Sequence, residues 1–295
     1  MRIIFIGVVD FSYHCLLEVL KNKGNVVGIV TSKVSKVNSD YRDLTPISEE
    51  YNIPVHYCRN INESETFQWI SKHKPDIIFC WGVSQIIKAK LLALAPMGII
   101  GVHPALLPEN RGRHPLIWAL VLGLKESGLT FFFMDEGTDS GPVISQRKFR
   151  ISDEDTAATL YKKIKDLAAE QIPEFLPMLI SRNYRTMPQD NKKANYWRKR
   201  SPEDGLIDWR MNKSSILNLI RALAKPYPGA QFKYKGELIT VWTARSHPEN
   251  FPINMEPGKI IDISDGKPVV KCCDGAVIVD KFEPEANFIK EEYVQ

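Results

Sequence analysis

His103 and Asp139 are the two residues of this chain best placed by type and setting to move a proton. His103 follows the apolar run Ile99-Ile100-Gly101-Val102, which predicts the tail of a buried strand. Pro104 and Pro108 halt that strand and open a polar, glycine-containing loop. A histidine at the carboxyl end of an α/β strand sits where such sheets keep their ligands. Asp139 lies 36 residues further on, in a turn between Gly137 and Gly141 that follows a strand-like run over 129–134. A carboxylate there can orient an imidazole and raise its basicity, giving a general base near neutral pH. The alternatives are a satisfied histidine at a strand end and a turn aspartate bonded to its own backbone. Asp135 competes with Asp139 on spacing alone.

The elements that must hold these residues alternate. Apolar runs predict strands over 3–6, 26–30, 54–57, 76–80, 99–102 and 143–149. Helical patterns fall over 11–23, 46–51, 63–73 and 85–94, and again over 156–180, where Pro173 predicts an interruption. That rhythm predicts an α/β fold with a Rossmann-like, doubly wound, mostly parallel sheet. Residues 182–200 are polar and basic and read as a linker, with Arg198-Lys199-Arg200 as its solvated end. A helix over 214–223 follows, then short strands over 230–234, 238–244, 258–263, 268–272 and 276–282 separated by Gly, Pro and Asp, the pattern of a small barrel or sandwich. The expected division is a catalytic domain over 1–185, a linker over 186–204 and a second domain over 205–295.

The segment Gly101-Val102-His103-Pro104-Ala105-Leu106-Leu107-Pro108, with Arg111-Gly112 and the Asp-bearing turn Met134–Gly141, resembles the 10-formyltetrahydrofolate-dependent formyltransferases. Their signature is Asn-x-His-Pro/Gly-x-Leu-Leu-Pro followed by such a turn. The likeness extends to the opening Met1–Gly7 with Asp10-Phe11, to Tyr196–Gly205 with Ile207-Asp208-Trp209, and to Pro226–Ala230 with Val241-Trp242. It therefore covers most of the chain. The resemblance implies a smaller C-terminal OB-like β-barrel, 10-formyltetrahydrofolate as formyl donor, His103 as general base and Asp139 as its orienting acid. It implies that Gln85, Ile86 and Ile87 hold the folate pterin, with Asp135 and Thr138 beside it, and that Val9, Asp10 and Phe11 meet the acceptor. One position departs: the family's asparagine two residues before the histidine is Gly101 here. That asparagine polarises the formyl carbonyl, and losing one such donor costs roughly 10²–10³ in rate at comparable sites. A backbone N–H, a water, Asn110 or His114 are the substitutes the sequence offers.

Asn110, Arg111, Arg113 and His114 occupy the proline-bounded loop beside His103. Guanidinium groups grip phosphate oxygens in bidentate fashion, so this loop is a candidate for pyrophosphate, with a solvated charged loop as the alternative. The turn over 7–12 starts a helix, where backbone N–H groups meet anions, but it lacks Gly-x-Gly-x-x-Gly.

The net charge of +4 is too slight to argue for nucleic acid by itself. No run of about 18 apolar residues predicts a membrane span. The N-terminus reads as a strand and not a signal peptide. Five cysteines without a Cys-x-x-Cys pair predict no metal and reduced thiols in a cytoplasmic protein. For the acceptor, the resemblance offers the amine of a nucleotide-linked amino sugar or that of methionyl-tRNA. From Tyr196 to Gln295 there are fifteen Lys/Arg against fourteen Asp/Glu. Between Ser32 and Leu44, Lys33, Lys36 and Arg42 face Asp40 and Asp43, with no strongly basic, glycine-rich insertion. Both favour the sugar nucleotide, a small-molecule partner, over RNA. A homodimer is compatible with the sequence. A non-catalytic binding protein that keeps the fold, as Gly101 suggests, is the reading from another class.

Overall fold

The computed structural model describes residues 1–34, 39–249 and 251–295. Lys36, counted in the sequence argument, lies outside them. The chain divides into two compact units: Met1–Pro115 with Ser127–Phe149 and Tyr161–Trp197, and Leu116–Glu126 with Arg150–Leu160 and Arg198–Gln295.

In the first unit β1 (Arg2–Ile6), α1 (Asp10–Lys21), β2 (Asn25–Thr31), α2 (Thr45–Tyr51), β3 (Val55–Tyr57), α3 (Ser64–Lys72), β4 (Ile77–Cys80), α4 (Ala89–Leu92) and β5 (Ile99–His103) succeed one another. The two-residue β6 (Arg111–Gly112) follows, then α5 (Pro115–Val121), which falls almost wholly in the second unit, and β7 (Glu126–Phe133), β8 (Val143–Arg150) and α6 (Ala157–Ile180). The seven-stranded sheet has the order β3-β2-β1-β4-β5-β7-β8. Its first five strands run parallel, and β7 lies antiparallel on β5, with His103 opposite Thr130. The order reverses between β1 and β4, so their following loops splay apart at the carboxyl edge and open the crevice where such sheets bind ligands. Beneath this edge Trp81, fully buried, stacks on Phe79 with ring centroids 4.6 Å apart and meets Phe5 and Phe131 edge-on at 5.4 and 5.1 Å. Such pairs add about 0.5–1.5 kcal/mol each beyond area burial, so the loops rest on a stiff aromatic floor.

Three expectations change. The helix expected over 85–94 shrinks to Ala89–Leu92. The Gln85 side chain instead braces Ile61 N and Arg59 O, both at 2.9 Å, and Asn62 brackets Ile86 O and Lys88 N. Side-chain amides thus compete successfully with a helical turn. α6 runs unbroken through Pro173 and Pro177, whose missing N–H groups, four residues apart, fall on one helix face. Residues 187–197 are no loose tether. Met187 forms a bridge with Val143, and β9 (Tyr196–Trp197) pairs in parallel with β6.

The second unit contains α7 (Lys213–Leu223) and five antiparallel strands, β10 (Ala230–Tyr234), β11 (Glu237–Ser246), β12 (Ile260–Ser264), β13 (Lys267–Cys272) and β14 (Gly275–Glu283). Their order is β10-β11-β14-β13-β12. β10 and β12 are not paired, so the sheet is open and not the closed barrel expected. The solvated end expected at 198–200 holds for Arg198, whose side chain is 62% exposed, but not for Arg200. Both guanidinium groups lie over the Trp118 ring, at 5.3 and 4.8 Å, and Arg200 is buried. No helix among the described residues is long and apolar enough to cross a membrane.

Asp204 ties this corner together. It takes two hydrogen bonds from Arg198 and one from Ser201 N. The Arg198 guanidinium first, then the Ser201 N–H, hold its carboxyl well below the usual 3.8. A depressed carboxylate adds stability that is complete above its unfolded value and is lost as pH falls through its folded one. In urea titrations, Asp204→Asn is therefore expected to lower the unfolding midpoint at pH 7. That difference should shrink steadily below about pH 4.

Candidate active site

His103 ends β5 and is 4% exposed. Its Nε2 lies 2.7 Å from the backbone carbonyl of Asn110. A carbonyl only accepts, so Nε2 carries the hydrogen and the neutral ring keeps its lone pair on Nδ1. Nδ1 faces Asp139 Oδ2 at 3.6 Å, too long for a hydrogen bond but close enough for an imidazolium–carboxylate pair. The ring is thus oriented by a peptide carbonyl rather than by the acid. Asp139 is itself placed by the main chain: Gly112 N–H donates to its Oδ2 at 2.9 Å.

Tight turns make these contacts. Asn110 and Asp139 both adopt the left-handed region, φ 63° and 53°, which asparagine and aspartate tolerate better than most residues. Gly112, at φ 105°, has no room for a side chain: a Cβ there would lie 2.3 Å from Trp197 O. Asp135, the competing carboxylate, is spent on its own turn, accepting from Gly137 N at 3.0 Å and Ser140 Oγ at 2.7 Å. Thr138 in the same turn is exposed.

The remaining residues divide by what is left free. Arg111 is not the solvated phosphate ligand its loop suggested. It is 1% exposed, and its guanidinium donates to Gln189 Oε1, Asn191 Oδ1 and Tyr196 OH. Arg113 is half-buried and donates to Ser84 O at 2.9 Å, linking the loops after β4 and β5. His114 is half-buried with φ 55°. Val9 and Phe11 bury their side chains, and the main-chain N–H groups of Val9, Asp10 and Phe11 are taken by Ser12 Oγ, Asp40 O and Tyr161 OH. Asp10 is held by Arg42, by Lys165 at 2.8 Å and by His14 at 3.5 Å. Burial works to raise its value, yet the Lys165 and Arg42 bonds outweigh it and hold the carboxyl below the usual range. Burial, then Lys165, lowers His14, so the neutral ring is favoured. Of the 85–87 stretch, Gln85 is occupied as above, Ile86 is 83% exposed and Ile87 joins the buried core.

At Gly101 a Cβ would fall 2.9 Å from Met134 Cγ and 3.1 Å from Phe132 Cζ. The absent side chain's space is filled. Gln189 and Asn195, which the sequence reading left in a linker, reach this site. Gln189 Nε2 donates to Asp139 O and Gly141 O, and Asn195 Oδ1 accepts from Asn110 N. Their sequence signal was the run of carboxamides at 189, 191 and 195. No cluster of metal-ligating side chains occurs among the described residues.

The site thus sets a histidine held by a peptide carbonyl against an aspartate at the end of β5. The chain belongs to the formyl transferase family: the formyl transferase profile matches residues 1–176 and that of the family's C-terminal domain matches 199–289. A methionyl-tRNA formyltransferase of Kosmotoga olearia is 35% identical over 288 residues, covering 96% of this chain and 92% of that protein. An N-formyltransferase from Helicobacter canadensis, solved with folinic acid and dTDP-3-aminofucose, superposes with a TM-score of 0.71 at 20% identity, over 95% of this chain and 98% of that one. HypX from Aquifex aeolicus, solved with tetrahydrofolic acid, gives 0.68 at 21% identity, over 95% of this chain but 43% of its own. At those identities the two structures share the fold.

Gly112→Ala would drive the new methyl into Trp197 O and strain φ. Its thermal midpoint is expected to fall by several degrees, the size of about a 1–3 kcal/mol loss, with turnover falling further because Gly112 N–H holds Asp139. A variant matching the parent in both would remove Gly112 from the account.

Proposed function

We propose that this protein transfers the formyl group of 10-formyltetrahydrofolate to the amine of a nucleotide-linked amino sugar. The observation that carries the chemistry is the free Nδ1 of His103 facing Asp139 at 3.6 Å. As its bond to the formyl carbon breaks, the donor nitrogen must gain a proton, and the acceptor amine must lose one as its nitrogen bonds to that carbon. His103 Nδ1 receives that proton while Nε2–H stays on the Asn110 carbonyl. The resulting imidazolium lies against Asp139, and unit charges about 4 Å apart attract by about 4 kcal/mol near a protein surface.

The residues over 85–87 suit the donor. Exposed Ile86 offers an apolar wall, and the extended, strand-free segment around it offers peptide groups to a flat ring with amide-like edges. Thr138 and the Asp135 turn lie in the loop that carries Asp139, and we assign them to the donor side. When bound, the folate supplies the activated one-carbon unit. On the acceptor side we assign the turn of Val9, Asp10 and Phe11, together with Asn110 and His114, and give the phosphate contact to Arg113. Arg111 acts only as a brace. We read the catalytic domain as 1–185 and the open sheet within 205–295 as an OB-like derivative.

The near-neutral charge of residues 196–295 supports a small acceptor over RNA. The 35% identity to a methionyl-tRNA formyltransferase favours the second reading, methionyl-tRNA as acceptor. Assays with 10-formyltetrahydrofolate and either dTDP-linked amino sugars or methionyl-tRNA separate the two. We expect formylated sugar and no formylated tRNA. Turnover of tRNA alone would transfer the assignment, and silence with both would favour a binding protein. His103→Ala is expected to lower turnover by about 10²–10⁴ while folate affinity stays within about twofold. Unchanged turnover would exclude His103 as the base.

A further inference from the structure

We propose that residues 189–195 form a positioning strap that sets the protonation geometry of His103, with Asn195 acting on the imidazole and Gln189 on the acid. The proposal rests on the reading of His103 as the base. Three bonds tie Asn195 to the loop that orients that ring. Asn110 N–H donates to Asn195 Oδ1 at 2.7 Å, Asn195 Nδ2 donates to Asn110 Oδ1 at 3.1 Å, and Arg111 N–H donates to Asn195 O at 3.0 Å. The first bond leaves no choice in the amide's direction: a peptide N–H needs the oxygen, so the nitrogen must face Asn110. Asn110 is thereby gripped at both main chain and side chain. Its carbonyl, the partner of His103 Nε2, follows.

Gln189 does the same for Asp139. Its Nε2 donates to Asp139 O at 2.9 Å and Gly141 O at 2.7 Å, closing the left-handed turn from which the carboxylate projects. Arg111 joins the two grips. It sits in the same loop as Asn110 and is almost wholly buried. Its Nε and Nη2 meet Gln189 Oε1 at 3.2 and 2.7 Å, and further bonds run to Asn191 and Tyr196. All three acceptors are uncharged. A guanidinium buried with neutral partners is costly unless each bond is kept, so the strap cannot drift without breaking several bonds together. The consequence is an imidazole whose two nitrogens are assigned before any substrate arrives.

Asn195 is exposed, so its variants should fold. In Asn195→Ala the Asn110 loop loses its side-chain tether while Arg111 keeps its partners. Turnover is expected to fall by about tenfold to a hundredfold, the scale of a small misplacement, with KM for donor and acceptor within about twofold. In the free enzyme, ¹⁵N spectra of His103 should show the Nε2–H form in the parent and a mixture of tautomers in the variant. Asn195→Asp retains an oxygen for Asn110 N–H and should recover both the Nε2–H signature and most of the turnover. The proposal is overturned if Asn195→Ala keeps the parental tautomer, or if thermal stability and turnover fall together while that signature stays. The spectra need no substrate, so they report on the strap even if the choice of acceptor is wrong.

Discussion

One hydrogen bond, from His103 Nε2 to the carbonyl of Asn110, decides which nitrogen of the imidazole keeps a lone pair for the chemistry we propose. An imidazole free to flip would offer either nitrogen, and half of its encounters would present a hydrogen where a lone pair is needed. Using a peptide carbonyl as the fixed partner has a further effect. A carbonyl stays uncharged, so the orienting group does not change with pH, and in the proposed reaction the nearby carboxylate is left to answer the charge on the ring. Orientation and charge compensation, often joined in one aspartate, are divided here between two groups.

That division needs several loops to agree within a fraction of an ångström, and the sheet explains how they do. The parallel strands end on the Trp81 cluster, where Phe5, Phe79 and Phe131 leave little freedom. Ser12 Oγ donates to Trp81 O, and Arg113 reaches Ser84 O, so the turns after β1, β4 and β5 are cross-linked at the edge. Rigidity enters from below through packing and from above through hydrogen bonds. Asp139 comes from the loop between β7 and β8, which returns from the end of β7 beside Ile100 to reach His103.

Much of this was legible because it is local. Apolar runs ended by proline marked β5 and placed His103 at its end, and the strand–helix rhythm foretold five parallel strands. What escaped was governed by partners distant in the chain. Arg111 looks solvated beside Asn110 and Gly112, yet Gln189 lies 78 residues away and draws it inside. Residues 85–88 have a helical composition, but Asn62 and Arg59 pull their polar groups into an extended path. The stretch over 182–200 is polar, which signals solvent only when no buried charge needs its carboxamides. α5, over Pro115–Val121, was missed for the opposite reason: its short apolar run carries no period long enough to tell.

The filled space at Gly101 ties that position to its neighbours on β7 and the loop after it. Met134 Cγ and Phe132 Cζ occupy the volume that any side chain at that position would need. A lone substitution that installs a carboxamide there collides with the thioether, and trimming Met134 alone opens a void. A carboxamide at position 101 therefore requires the Met134 side chain to move aside, so the two positions are coupled through packing.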